Sequence, residues 1–229
     1  VSRTHLVTGA GSGIGLALAR LLRERQDTLV LPVRSRARVE QLRDEFAEPG
    51  LVVLDLADTA ALPDALRQAH LPSRLDTVVH AAGVVELSSV ADQPDEGLRE
   101  QLEVNLVAPM LLTRACLPAL RRTRGTVVFV NSGAGLVANP EWSAYAASKF
   151  GLRAFADSLR AEEAAAGVRV TSVFPSRTAT PMQALVHEQE GRAYDPSHFM
   201  SAESVAATIL HVLDLPEDVT IPEVSLRSR

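Results

Sequence analysis

Short β-branched runs alternate with longer stretches of helical periodicity along all 229 residues, and that alternation leaves few folds open. The runs are His5–Thr8, Thr28–Val33, Leu51–Leu54, Thr77–Ala81, Thr126–Asn131 and Arg169–Phe174, with a weaker one at Val219–Val224. Between the first two, Gly15–Arg25 places Leu18, Leu21 and Leu22 on one helical face. "RARVEQLRDEFA" groups Val39, Leu42 and Phe46 in the same way. "TAALPDALRQAH", a long stretch from Asp95 to Arg122, an alanine-rich one from Glu141 to Gly167 and "SAESVAATILHVLDL" continue the pattern. Gly167 reads as a C-cap, and Ser201 with Ser204 as a capping box in weakened form. Strand–helix alternation predicts a parallel sheet with helices on both faces, an α/β fold. No repeat, low-complexity tract or linker interrupts it, so residues 1–229 read as a single domain.

Charge and cysteine usage exclude several classes of partner. The net charge is −5, and the 22 arginines are interleaved with acids. That arrangement predicts no nucleic-acid footprint and no polybasic membrane patch. No apolar run is read as approaching the roughly 18 residues that span a bilayer. Cys116 is the only cysteine, which fits a reducing compartment. The first fifteen residues lack a charged start and an apolar core, so no secretory leader is expected and the cytoplasm is the expected location. The absent initiator Met reads as trimming at that end.

The strongest local signal is "LVTGAGSGIGLALA". A strand ends at Thr8, glycines follow at 9, 11, 13 and 15, and a helix begins. Glycine permits a tight turn and close approach of backbone N–H groups to a phosphate, and the helix N-terminus favours the negative charge. The spacing differs from G-x-G-x-x-G. A glycine turn without a ligand would leave the same local pattern; its place after the first strand favours a nucleotide.

The second signal is Lys149, the only lysine in the chain. Tyr145 and Lys149 are i and i+4 on an expected helix and share a face. A free tyrosine titrates near 10, and an adjacent ammonium lowers that value, so such a pair can move a proton at a carbonyl or alcohol oxygen. A chain that uses arginine elsewhere keeps lysine where a compact ammonium is needed, although chance retention would look the same.

"TGAGSGIG" together with "YAASK" resembles the short-chain dehydrogenase/reductase family in its small single-domain form, from about Val7 to Met182. The resemblance implies a Rossmann-type doubly wound parallel sheet of about seven strands, a nicotinamide cofactor and no metal. It carries the family's four active-site positions onto Asn105, Ser132, Tyr145 and Lys149. Cofactor contacts are implied at Gly9, Gly11, Ser12, Gly13, Ile14 and Gly15 of the glycine turn, at Asp55 and Leu56, at Ala81, Ala82 and Gly83, at Tyr145 and Lys149, and at Pro175, Thr178 and Thr180. Two family motifs are altered. "N-N-A-G" reads His80-Ala81-Ala82-Gly83, and "P-G-x-x-x-T" has Ser176 in place of glycine. His80 is read as a half-buried strand-end histidine rather than a base, because Tyr145 already fills that role.

No acid stands between Asp27 and Glu40, where an NAD site wants one for the ribose 2′-hydroxyl. Arg34 follows the second strand directly, with Arg36 and Arg38 beyond it, so NADP(H) is expected over NAD(H). Solvated arginines opening a helix are the alternative reading. The implied reaction is reversible hydride transfer at a ketone, aldehyde or alcohol of a small molecule. Tyr145 would pass the proton, Ser132 would hold the oxygen, Lys149 would tune Tyr145 and hold the ribose, and Asn105 would help hold a relay water. A non-catalytic NADP sensor or regulatory partner on the same fold is the alternative. Gly133, Ala134, Leu136 and Trp142 are expected to wall the site mouth, and residues 180–200 to set specificity. Relatives pair the helices matching Asp95–Arg122 and Trp142–Ala166 across a twofold axis, so a homodimer or homotetramer is expected.

Overall fold

The computed structural model describes residues 2–46 and 50–228. Seven strands form one parallel sheet: β1 (Thr4–Thr8), β2 (Thr28–Val33), β3 (Leu51–Val53), β4 (Thr77–His80), β5 (Thr126–Val130), β6 (Arg169–Pro175) and, last in the chain, β9 (Glu223–Leu226). Their order is β3-β2-β1-β4-β5-β6-β9, with the reversal between β1 and β4. Two short strands, β7 (Thr178–Ala179) and β8 (Met200–Ser201), pair separately. The helices are α1 (Gly13–Glu24), α2 (Arg36–Leu42), α3 (Leu62–Gln68), α4 (Asp95–Leu102), α5 (Ala108–Arg121), α6 (Ser143–Glu163), α7 (Pro181–Gln189) and α8 (Ala202–Leu213).

Successive strand residues feed opposite faces, as a pleated strand requires. Val7, Val79 and Val128 pack with Leu18 and Leu22 of α1 and Val205 and Ile209 of α8. Their neighbours Leu6, Val78, Val127 and Phe129 pack on the other face with Leu66 of α3, Leu112 and Leu120 of α5, and Leu152 and Leu159 of α6. Both faces of the sheet are therefore covered, which is why its strands read as continuous apolar runs. Gly167 is left-handed (φ 75°) at the end of the α6 segment, and Ser201 caps α8 through the Ser204 N–H.

Three expectations need correction. The last strand lies at Glu223–Leu226, not Val219–Val224. The Arg169 guanidinium takes the carbonyls of Leu215, Pro216 and Val219 at 3.1, 3.1 and 3.3 Å, folding that stretch as a loop. Pro222, with no N–H, adjoins the start of pairing. The second helical stretch ends at Leu42, and its expected end at Ala47 lies outside the described residues. The stretch Asp95–Arg121 is, by length and composition alone, long and apolar enough to cross a bilayer, with a mean hydropathy of 1.2 over an 18-residue window. Here its buried stripe of Leu112, Cys116 and Leu120 belongs to the core. It is also not one regular helix. A wider π turn, Glu103–Val107, separates α4 from α5. Pro109 cannot donate to the carbonyl of Asn105, which removes the α-type bond at that point.

Candidate active site

A cleft of about 1120 Å³ opens beside the carboxyl ends of the central strands, where the strand order reverses. Its floor begins at the glycine turn. Gly9 is left-handed (φ 72°), and a Cβ there would stand 2.7 Å from the Ala81 backbone. A Cβ on Gly15 would stand 2.4 Å from the Gly9 carbonyl oxygen, so α1 can sit this close to β1 only with glycine at both places. Ser12 precedes α1 without capping it through its side chain, and the first turn holds no acid. Its N–H groups are thus left to an anion in the cleft. Across the crevice, the Thr8 hydroxyl accepts from the N–H groups of Ala81 and Ala82 at 3.1 and 3.2 Å. That contact fixes the loop where the family asparagines are missing.

The four expected active-site side chains meet at the far end. Ser132 stands two residues past β5, and its hydroxyl lies close enough to Tyr145 to pull the phenol pKa down. Tyr145 and Lys149 share one face of α6, with Lys149 Nζ 5.7 Å from the Tyr145 ring centroid. Nζ donates to the Val130 carbonyl at 3.2 Å. Asn105 sits in the π turn, fully buried behind Gly83. Its Oδ1 accepts from Val84 N at 2.9 Å, and its Nδ2 donates to Val84 O at 2.9 Å and Ser148 Oγ at 3.1 Å. Ser132, Tyr145 and Lys149 line the cleft, as do Gly9, Gly11, Ser12, Gly13, Ile14, Arg34, Asp55, Leu56, Ala81, Ala82, Gly83, Pro175, Thr178 and Thr180. Asn105 and Gly15 do not reach its surface, and neither does Leu136, which was expected at the mouth.

The short chain dehydrogenase family profile matches residues 3–191. The chain belongs to that family. Oxidoreductase UcpA of Escherichia coli O157:H7 is 31% identical, over 93% of this chain and 82% of its own. A short chain dehydrogenase of Shigella flexneri, solved with NADP, superposes with a TM-score of 0.85 at 26% identity, covering 97% of this chain and 95% of the other. A 4-hydroxyisoleucine dehydrogenase, solved with NADH and succinate, superposes at 0.82 with 25% identity, covering 97% of each. The fold and the oxidoreductase class follow from the family; the two solved relatives were captured with different nicotinamide cofactors.

The electrostatics of this short-chain dehydrogenase differ from the expectation in one respect. Burial pushes the Tyr145 pKa up, and the Ser132 hydrogen bond offsets only part of that. Lys149 is itself pushed down to about 8 by burial. Burial is the largest influence on the Tyr145 phenol, and it acts against the lowering expected from a neighbouring ammonium. His80 is buried rather than half-buried. It stacks on Phe129 with centroids 5.0 Å apart, its Nε2 lies 2.8 Å from Thr113 Oγ1, and burial holds its pKa at about 3. It is a neutral core histidine, and it does not line the cleft.

Ser176 fits where the family has glycine. Its N–H donates to Leu226 O at 2.8 Å, and its hydroxyl accepts from Ser228 N at 3.2 Å, which ties the loop after β6 to β9. Two contributors escaped the sequence reading. Asn131 donates from Nδ2 to the Lys149 carbonyl at 3.1 Å and accepts the Ser132 N–H on Oδ1 at 2.9 Å. It thus links the segment after β5, which carries Ser132, to the helix carrying Tyr145. The one trace of this in the sequence is Gly135, where a Cβ would stand 2.5 Å from Asn131 Oδ1. The other is the wall near Tyr145, where Val85, Ala134 and Val186 form a small cluster with Leu87, Trp142 and Met182. It draws on four separate segments: Ala134 and Trp142 were expected at the mouth and Met182 and Val186 in the specificity segment, while Val85 and Leu87 were not expected there.

Proposed function

We propose that the chain is an NADP(H)-dependent oxidoreductase that interconverts a small-molecule ketone or aldehyde and the corresponding alcohol. The observation that carries this reading is the placement of Ser132 and Lys149 around Tyr145, with Lys149 one turn further along α6, at the end of a cleft that begins at an uncapped helix N-terminus. The site fits the cofactor on its own features: the glycine cradle, the free first-turn N–H groups and the basic residues beyond β2. When bound, the nicotinamide supplies or takes the hydride.

Tyr145, kept neutral by its raised pKa, holds a proton ready for the oxygen of a carbonyl as that oxygen gains charge. Ser132 orients the phenol and offers a second hydroxyl to the same oxygen. Lys149 places a cation beside the phenol, which favours the tyrosinate left after proton transfer. Asn105 holds Val84 and Ser148 in place behind Gly83, and so shapes the wall around Lys149. Activity with a panel of carbonyls and alcohols, followed at the NADPH absorbance band, tests the reading. A cofactor-binding protein that turns over none of them is a sensor instead.

The preference for NADP(H) rests on Arg34 and Arg38. Arg34 is exposed in the cleft lining with no partner among the described residues. The Arg38 guanidinium lies across the glycine turn, donating from Nη2 to the Gly11 carbonyl and from Nη1 to Gln41 Oε1 at 2.6 Å. A guanidinium at this end of β2 supports the reading, because it can pair with a ribose 2′-phosphate. Arg34→Asp is expected to weaken NADPH binding about tenfold or more, since it removes one charge-assisted contact and adds a like charge. NADH binding should hold or improve. Equal Kd values for NADPH and NADH in the wild type would overturn the preference.

We also propose self-association. Leu98 of α4, Met110 of α5 and Phe150 of α6 are large apolar side chains 40–42% exposed on the helices expected to pair. Light scattering at micromolar concentration should give two or four times the chain mass; the mass of one chain rejects the oligomer. The sites should act independently, because Ser132, Tyr145, Lys149 and Asn105 all come from one chain.

A further inference from the structure

The cleft holds a charged cluster that the proton-transfer residues do not use. Met182, Val186 and Glu190 stand at i, i+4 and i+8 along α7 and just past its end, and all three line the cleft. Val186 packs in the apolar cluster around Tyr145. Glu190 is therefore about one helical turn beyond that wall, roughly 5–6 Å along the same face. There it meets Arg177 of the loop after β6. Arg177 Nη1 donates to Glu190 Oε2 at 2.9 Å and Nη2 to Oε1 at 2.5 Å. The Gln189 side chain accepts the Leu87 N–H at 2.8 Å, so this end of α7 is held from two sides.

Glu190 takes the end of the guanidinium fork and leaves its side. Arg177 Nε and the outer N–H of Nη2 have no partner among the described residues, and the side chain is 35% exposed. That free edge has the two parallel N–H groups that match a carboxylate. The local charge balance points the same way. Arg192 lies 3.7 Å from Glu190 Oε2, so two guanidinium groups face one carboxylate and leave one positive charge in excess. The other acids in the cleft lining, Asp55 and Glu100, lie beside Ala57, away from this arm.

We infer that the carbonyl substrate carries a carboxylate, which binds the free edge of Arg177 while its apolar carbons lie along Val186 and Met182 and its carbonyl reaches Ser132 and Tyr145. The substrate class is thus oxo acids and the matching hydroxy acids, with a few carbons between the two groups. Glu190 is a positioning residue here: it orients the guanidinium, and Arg192 balances its charge. The inference rests on the proposed carbonyl chemistry but can be tested apart from it.

The test uses 4-oxopentanoate and 5-oxohexanoate, each against its methyl ester, with the NADPH-loaded protein. Wild type should favour each acid over its ester by about tenfold or more in kcat/KM, as expected for a charge-assisted pair. Arg177→Gln should lose about 30-fold on the acids, mainly through KM, and change the esters little. Arg177→Lys should recover only part of the loss, because an ammonium lacks the fork. Glu190→Gln should keep the preference for acids. Equal treatment of acids and esters overturns the inference, as does an equal fall on both in Arg177→Gln and Glu190→Gln, the mark of a simple latch holding α7. Calorimetry on NADPH-loaded Tyr145→Phe separates binding from chemistry. Acids bound in preference to esters there, yet not reduced by wild type, would uphold the carboxylate site and sink the proposed reaction. Esters reduced while acids are ignored would do the reverse, and failure to bind either probe also overturns the inference.

Discussion

Tyr145→Phe is expected to lower kcat by about 100-fold or more while leaving NADPH affinity nearly unchanged. The phenol ring stays: it packs with Val85, Ala134 and Val186 and sits edge-on to Trp142 with centroids 5.7 Å apart, and phenylalanine keeps those contacts. What is lost is the hydroxyl beside Ser132 and the proton it carries. The loss should fall on kcat and kcat/KM alike, as it does when an interaction made only in the transition state is removed. Because burial raises the Tyr145 pKa, the wild type should retain its proton donor through neutral pH, so reduction should fall only on the alkaline side. A variant that keeps more than about a tenth of wild-type kcat excludes the phenol as the main proton donor.

Lys149→Met is expected to abolish turnover and, at pH 7, to stabilise the fold. Lys149 is 3% exposed, and burial holds its pKa at about 8, against an ordinary value of 10.5. The unfolded chain therefore binds that proton more tightly than the folded one. Keeping the ammonium in the fold costs stability in full below about pH 8; the cost fades as pH rises from 8 to 10.5 and is gone above. The difference amounts to about 3 kcal/mol, from which the lost bond to the Val130 carbonyl subtracts about 1 kcal/mol. The variant should thus gain about 2 kcal/mol at pH 7, or roughly 4–8 °C in Tm. The gain should shrink steadily in denaturant titrations repeated toward pH 10. A variant less stable than wild type at pH 7, with a gap that widens as pH rises, would refute burial as the source of the shift.

Much of this architecture was legible in the chain because it is local. The strands from β1 to β6 lie within a residue or two of the β-branched runs, since a strand buried on both faces must be apolar along its length. The last strand was misplaced because Arg169, fifty residues upstream of Val219, takes the Val219 carbonyl at the start of the expected run. The break at Asn105 was missed because apolar periodicity carries through it, and only a proline four residues on marks the lost bond. The family motifs brought out Asn105, Ser132, Tyr145, Lys149 and the glycine turn, because each is a short pattern at a fixed spacing.

The sequence by itself determined the α/β alternation, the glycine turn, the Tyr145–Lys149 spacing and the missing acid after β2. All of these depend on neighbours within a turn or two, where periodicity and residue type suffice. Only the tertiary structure decided that burial, rather than the lysine, governs the Tyr145 pKa, that Asn131 ties Ser132 to α6, and that Arg177 faces Glu190 with one edge free. Desolvation and ion pairing depend on which groups the fold brings within a few ångströms, and for these residues the partners lie 13 to 18 positions away along the chain.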